Sequence, residues 1–176
     1  MLVSLACVLS SIVRIQSGRP FFLSSGRNTF NNFENGVELA PGVSADDLQK
    51  LVGVFPGPNG TKLFFDPKVI GTDGRANPQY LLSPTTPGVL GQRIFLYGPG
   101  FWNVDLGIAK RFAAPGRVYV NFEALFLDLF NTNNFLVGGA SNDAGFGVSI
   151  NSTTFGQTTT TTGGPRNIQL RLLIGF

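Results

Sequence analysis

The polar and apolar positions of this chain alternate with a period of two in several separate stretches. At the C-terminal end Ile168, Leu170, Leu172, Ile174 and Phe176 share one parity, while Asn167, Gln169, Arg171, Leu173 and Gly175 share the other. Successive side chains of a β-strand point to opposite faces, so this pattern specifies a strand with one apolar and one mostly polar side. The stretch from Trp102 repeats it: Trp102, Val104, Leu106, Ile108 and Phe112 alternate with Asn103, Asp105, Gly107, Ala109 and Arg111, and Lys110 breaks the pattern. From Val118 the even positions Val118, Val120, Phe122, Ala124, Phe126 and Phe130 are again apolar, opposite Tyr119, Asn121 and Glu123. A weaker stretch opens the chain, with Leu5, Cys7, Leu9, Val13 and Ile15 against Ala6, Ser10, Arg14 and Gln16.

These patterns predict four long strands, at about residues 5–16, 101–112, 117–130 and 166–176. The turn between the second and third, Ala113-Ala114-Pro115-Gly116, is tight, whereas loops 17–100 and 131–165 are long. Long, short, long is the loop rhythm of an outer-membrane barrel, whose extracellular loops are long and periplasmic turns short. The fold class predicted is all-β, an antiparallel transmembrane β-barrel segment of about four long strands in a curved meander. Ten steps of about 3.3 Å from Trp102 to Phe112, tilted near 40°, span roughly 25 Å, the height of the apolar band in such barrels.

In that frame Trp102, Val104, Leu106, Ile108, Phe112, Val118, Val120, Phe122, Phe126 and Phe130 face lipid. Trp102 and Phe130 sit in the outer aromatic girdle, and Phe112 and Phe176 in the inner one. Lys110 lies close enough to the inner rim for its ammonium to snorkel into the headgroups. Asp128 faces lipid by parity, which predicts a bulge or strand end there. Asn103, Asp105, Arg111, Asn121, Glu123, Gln169 and Arg171 face water or a plug.

The long first connection contains Ser44-Ala45-Asp46-Asp47, a capping box that opens a short helix near 45–52, ended by Gly53. Turn segments at 56–60, 73–78 and 83–88 predict a mostly irregular connection with a short strand at Lys62–Phe65. The threonine run 158–162 reads as a loop or as an extracellular extension of the last strand.

Composition supports lipid contact. Only 13% of the 176 residues are charged, against about a quarter in typical soluble domains, and the chain carries 23 Gly and 17 Phe. The net charge of +3 is spread thinly, with no basic run to track a phosphate backbone, which argues against a nucleic-acid partner. The opening MLVSLACVLSSIVRI lacks a basic n-region, and its apolar run is too short for a spanning helix. A strand cut at its start is favoured over a signal peptide, and Ser4 three residues before Cys7 is wrong for a lipid-anchor box.

Candidate chemistry is sparse. There is no histidine and one cysteine, so neither a Ser-His-Asp or Cys-His arrangement nor a Cys/His metal framework can form, and no enzyme or cofactor is expected. The adjacent carboxylates Asp46 and Asp47 suit helix capping better than acid-base work. Gly98-Pro99-Gly100 and Gly163-Gly164-Pro165 lack the lysine and helix of a phosphate loop. Asn142 with Asp143 could join a calcium site but reads better as a solvated turn. The sequons at Asn59 and Asn151 carry no weight if the source is bacterial.

Five phrases in order carry a resemblance: QSGRPF (16–21), GTDGRANP (71–78), YGPGFWNVDLGIAKRF (97–112), VNFEALFLDLFNTNNF (120–135) and FGQTTTTTGGPRNIQLRLLIGF (155–176). Together the chain resembles the C-terminal end of TonB-dependent outer-membrane receptors, specifically the Oar-like group with a carboxypeptidase-regulatory-like domain. The resemblance covers nearly all of this chain and the last fifth or less of such a receptor. Leu127 and Asp128 depart from the usual Phe and Asn.

The resemblance implies an energised importer with a barrel of about 22 strands and a plug inside, the TonB box lying upstream. The partners implied are outer-membrane lipid, the barrel assembly machinery, the remaining barrel and plug, and TonB only through the missing N-terminal part. Ile168, Leu170, Leu172, Ile174 and Phe176 would then form the barrel-assembly signal. A truncated gene, gene fragment or misplaced start codon is the expectation, since four strands leave two unpaired edges and the smallest bacterial barrels use eight. Two rivals remain: a small self-assembling pore of several copies, and a soluble β-sandwich binding module. The transported substrate is not written in these residues.

Overall fold

The computed structural model describes residues 3–27, 29, 36–113, 115–137, 147–158 and 160–176, with the backbone alone at 3–6 and 147. Ala114 of the tight turn, and Asn142 and Asp143 of the candidate calcium site, lie outside the described residues. The chain divides into two compact units. One comprises Met1–Gln16, Phe101–Asn134 and Gly163–Phe176; the other comprises Ser17–Gly100 and Phe135–Thr162.

The first unit is built on four long strands: β1 (Val3–Gln16), β2 (Phe101–Ala113), β3 (Tyr119–Leu127) and β4 (Asn167–Gly175). Each pairs antiparallel with its neighbour in sequence, in the order β1-β2-β3-β4, so the sheet is a meander. The pairing of β1 with β2 slips by one residue between Ser4 and Cys7, and from Cys7 onward it is unbroken to Gln16 opposite Phe101. Within the described sheet the outer edges of β1 and β4 have no strand beside them.

Strand bounds differ from the sequence reading mainly in β3. The predicted 117–130 is Tyr119–Leu127, so Val118 and Phe130 stand outside the strand. The strand stops because Asp128 adopts a left-handed backbone conformation, with φ of 52°. A non-glycine residue cannot continue the ladder there. The bulge or strand end expected at Asp128 is therefore a strand end. Phe176 lies one residue beyond β4 and is 99% exposed.

The second unit adds short paired strands and a packed core to a first connection that is otherwise mostly irregular. The predicted strand Lys62–Phe65 forms, paired with Val52–Pro56 on one side and Gln157–Thr158 on the other. Pro20–Ser24 is likewise flanked by Phe95–Tyr97 and Gly147–Ser149. These small sheets enclose a core of Phe21, Leu23, Leu48, Phe64, Phe65, Leu96, Ile150 and Phe155, each at most 2% exposed. Phe65 stacks on Phe155 at 5.3 Å between ring centroids, and Phe21 meets Phe64 edge-on at 5.5 Å. Many of the phenylalanines counted toward lipid contact are therefore spent on a packed interior, where each buried ring contributes about 1.5–3 kcal/mol. The threonine run is divided: Thr158 ends one strand of this unit and Thr161–Thr162 forms another short one, so it does not extend β4.

Helix α1 (Ala45–Lys50) starts as its capping box requires, and is shorter than the predicted 45–52. Leu51 is the C-cap and Val52 already belongs to the next strand, so the stop comes before Gly53. No helix among the described residues is long and apolar enough to cross a membrane.

Candidate membrane-facing surface

Register decides whether the separate alternations add up to one surface, because a slip of one residue would turn a strand's apolar set to the opposite face. The observed pairing aligns them. Ile15 lies opposite Trp102 and Val13 opposite Val104. Ser11, Leu106, Phe126 and Ile168 form one row, and Leu9, Ile108, Ala124 and Leu170 the next. Below them come Cys7, Lys110, Phe122 and Leu172, then Phe112, Val120 and Ile174. All the sequence-predicted positions within the strands thus share one face.

That face is open. Leu9, Val13 and Ile15 on β1 and Ile168, Leu170, Leu172 and Ile174 on β4 are all more than half exposed, Leu170 at 67%. A soluble domain rarely leaves a contiguous apolar surface of this extent uncovered. Two polar residues sit on it, and both are accommodated. The Ser11 hydroxyl donates to the Asp105 carbonyl at 3.1 Å. The Lys110 ammonium leans over the Phe112 ring, 5.2 Å from its centroid, toward the turn end of the sheet, as snorkelling requires.

The opposite face carries the charges. Glu123 faces Arg171 directly, 3.5 Å apart, and Arg14 reaches Asp105 at 3.6 Å. Near the turn end Arg111 stacks over Tyr119, 4.0 Å from the ring centroid. The Tyr119 ring in turn covers Gly175, where a Cβ would meet ring atoms at 2.2 Å. Contrast on this face is incomplete, since Val8, Ile12, Leu125 and Leu173 are also exposed on it.

At the other end of the sheet, Trp102 and Phe130 pack with ring centroids 5.7 Å apart, so the two residues assigned to one girdle do come together. Phe130 reaches Trp102 because the chain turns back after Asp128. Asp128 is buried: its N–H donates to Asp105 Oδ1 at 2.9 Å, and its own Oδ1 accepts from the Thr132 N–H and hydroxyl at 3.0 and 2.9 Å. The carboxylate therefore points into a corner, and does not face lipid as its parity suggests. Thr132 and Asn134 also bond the Trp102 backbone. Sequence reasoning missed these two; the only signal was the polar NTNN following an apolar strand.

Sites weighed for chemistry have structural occupations. The capping pair is reciprocal: Ser44 Oγ accepts from Asp47 N at 3.1 Å, and Asp47 Oδ2 accepts from Ser44 Oγ at 2.6 Å. Hydrogen bonds from Ser44 and Lys50 hold the Asp47 carboxyl below the usual aspartate range. Gly98 belongs to a close backbone crossing, since a Cβ on Gly18 would strike its carbonyl oxygen, and its N–H donates to Arg19 O at 2.9 Å. The Asn151 carboxamide donates to Ser25 O and Ser83 Oγ.

No curated protein and no solved structure matches the chain. A family model described as "Outer membrane beta barrel domain" matches residues 8–169, which takes in most of β1, all of β2 and β3, and the start of β4. With one apolar face continuous over four antiparallel strands and charges on the other, the chain belongs to the outer membrane beta barrel domain family and is an outer-membrane β-barrel protein.

Proposed function

We propose that the chain is four consecutive strands of a larger barrel, the C-terminal portion of a TonB-dependent outer-membrane receptor, and does not transport on its own. The observation that carries this is the sheet: four strands, one apolar face, and two edges with no strand beside them among the described residues. Lipid does not tolerate open edges, and the smallest bacterial barrels use eight strands. The receptor assignment rests on the five phrases, four of which are also partners in space. Trp102 and Asp105 of the third phrase bond Asn134 and Asp128 of the fourth, and the Arg166 N–H of the fifth donates to Asn131 Oδ1 at 3.2 Å. Gly18 of the first crosses Gly98 of the third. Segments that must fit one another vary together, so a set of them in order is more specific than each alone.

On this reading the even-parity face of β2–β4 contacts outer-membrane lipid, the other face looks toward the lumen and plug, and β4 with Phe176 is read by the barrel assembly machinery. TonB acts only through the N-terminal part of the receptor. The chain catalyses nothing and needs no cofactor.

The same open edges would suit a self-assembling pore, so the test sets the two against each other. Cys7 is the single cysteine and lies on edge strand β1. Cysteines placed in turn at residues 169–173 of β4 would cross-link to Cys7 of another copy only if copies close one barrel. The receptor reading expects no such disulfide and no heat-modifiable multimer from this chain in outer membranes. A cross-linked, detergent-stable multimer overturns it in favour of the pore, and recovery of the folded chain without detergent overturns both.

A further inference from the structure

We infer that the second unit carries a binding site for a small oxyanion, in the cleft between Arg27 and Arg75. The cleft holds about 310 Å³ and is lined by Ser25, Gly26, Arg27, Arg75, Ser149, Asn151 and Ser152. Arg27, Arg75, Ser149 and Ser152 bring two guanidinium groups and two hydroxyls to its lining, Ser25 and Asn151 being committed to the walls, and among the described residues no carboxylate lines it. Guanidinium presents its donors in a planar fork that matches carboxylate and phosphate oxygens, and hydroxyls complete such a shell.

The three wall segments are fixed to one another before any ligand arrives. Asn151 donates to Ser25 O at 2.6 Å and to Ser83 Oγ at 2.8 Å, which ties the Ser25–Arg27 wall to the turn 149–152. The Ile150 N–H donates to Ser24 O at 2.9 Å, and the Ala76 N–H donates to Ile150 O at 2.9 Å, which ties the Arg75 wall to the same turn. Gly74, at φ of 83°, lies so close to Thr153 O that a Cβ there would stand 2.1 Å from it. No larger residue allows that approach, so this glycine sets where Arg75 leaves the backbone. A site whose walls need no ordering keeps more of its contact energy as affinity.

Arg75 has an acidic neighbour, and the geometry leaves it able to bind. Its Nη1 is 3.8 Å from Asp73 Oδ2, longer than the 2.7–2.9 Å of a charge-assisted hydrogen bond, and both side chains are more than half exposed. Asp73 is not in the lining of this cleft; it lines an adjoining one that shares Arg75 and Asn151 with it. The ligand class is thus a solute or headgroup bearing a phosphate or carboxylate. The inference needs neither the barrel size nor the receptor assignment.

Titration calorimetry of the full chain, folded in uncharged detergent at low chloride, tests it with inorganic phosphate in one arm and phosphatidylglycerol-doped micelles in the other. A saturable signal with phosphate identifies a free anion, and one confined to the doped micelles identifies a headgroup. In either case Arg27→Gln and Arg75→Gln should each weaken binding about tenfold or more, while Arg117→Gln in the β2–β3 turn leaves it unchanged. Arg75→Lys, which keeps the charge and loses the fork, should fall between, and circular dichroism shows whether each variant is folded. No saturable signal in either arm, or a signal that survives in the folded Arg27→Gln/Arg75→Gln chain, overturns the site.

Discussion

Asn134 pairs with Trp102 as a strand residue would: the Trp102 N–H donates to Asn134 Oδ1 at 3.1 Å, and Asn134 Nδ2 donates to Trp102 O at 2.9 Å. Strand β3 has ended at Leu127, and past the Leu129 N–H, which donates to Val104 O at 2.8 Å, the edge of β2 at Trp102 is met by side chains. A side-chain carboxamide offers one donor and one acceptor at nearly the spacing of a peptide group, and here it takes the missing place. Gln49 does the same for Tyr97 in the second unit, accepting from its N–H at 2.7 Å and donating to its carbonyl at 3.0 Å.

Asn134→Ala should therefore destabilise the folded chain by about 1–3 kcal/mol, because two backbone groups lose partners where water has limited access. Trp102 is the only tryptophan, so its fluorescence reports denaturant unfolding without a label. An unchanged midpoint would mean that water replaces the carboxamide at no cost.

Gly175→Ala should cost about 1–3 kcal/mol, since the new methyl group meets the Tyr119 ring and the ring must leave its place under Arg111. Tyr119→Ser should remove most of that penalty, so a double-mutant cycle in vesicle refolding should show a coupling of about 1 kcal/mol or more. Additive effects would show that the ring already moves freely.

Two neighbours on β4 separate the faces. Leu170→Arg puts a charge on the apolar face at mid-strand and should impede folding into vesicles by about 2–4 kcal/mol, whereas Gln169→Arg, on the face with Leu125, should change it by less than about 1 kcal/mol. Equal effects would refute the lipid assignment of the even-parity face.

Phe176 makes almost no contact, being 99% exposed, so its removal should leave the stability of the sheet nearly untouched. Phe176→Ala, or a short C-terminal extension, should nevertheless lower outer-membrane insertion of the full receptor, because its proposed reader is the assembly machinery. Normal insertion of both variants would reduce β4 to an ordinary lipid-facing strand.

The start of α1 should respond to acid. The Asp47 carboxyl is depressed by its bonds to Ser44 and Lys50, so its contribution is present at neutral pH and is lost as pH falls through its own lowered value, below about 3.9. Hydrogen-exchange protection of the Ser44 and Asp47 amides, measured against their intrinsic rates, should fall in that window, and Asp47→Asn should remove the pH dependence while weakening protection at neutral pH.

The long strands were legible because each alternation is a local property. Once four stretches of period two are found, the pleat alone assigns Leu106, Phe122 and Leu170 to apolar sides. The capping box at Ser44 was legible for the same reason, since its partners are three residues apart. Less visible was where β3 stops. Parity carries Phe130 onward as a strand residue, while Asp105, twenty-three positions earlier, supplies the acceptor that helps hold Asp128 in its left-handed turn. The compact unit formed by the long connections was hidden altogether. Its core joins Phe21, Phe64 and Phe155, residues separated by tens of positions and embedded in turn-rich sequence with no sustained period.

The sequence by itself determined that the chain is all-β, that its long strands are amphipathic, and that its charge is too sparse for an ordinary soluble surface. These follow from composition and from a two-residue repeat that any pleated strand obeys. The tertiary structure alone decided that the separate apolar parities fall on one face, that Asn134 completes the edge beside Trp102, and that Arg27 and Arg75 share a cleft. Each of those depends on pairing between residues far apart in the chain, and register over such distances is set by the sum of many contacts that no local pattern records.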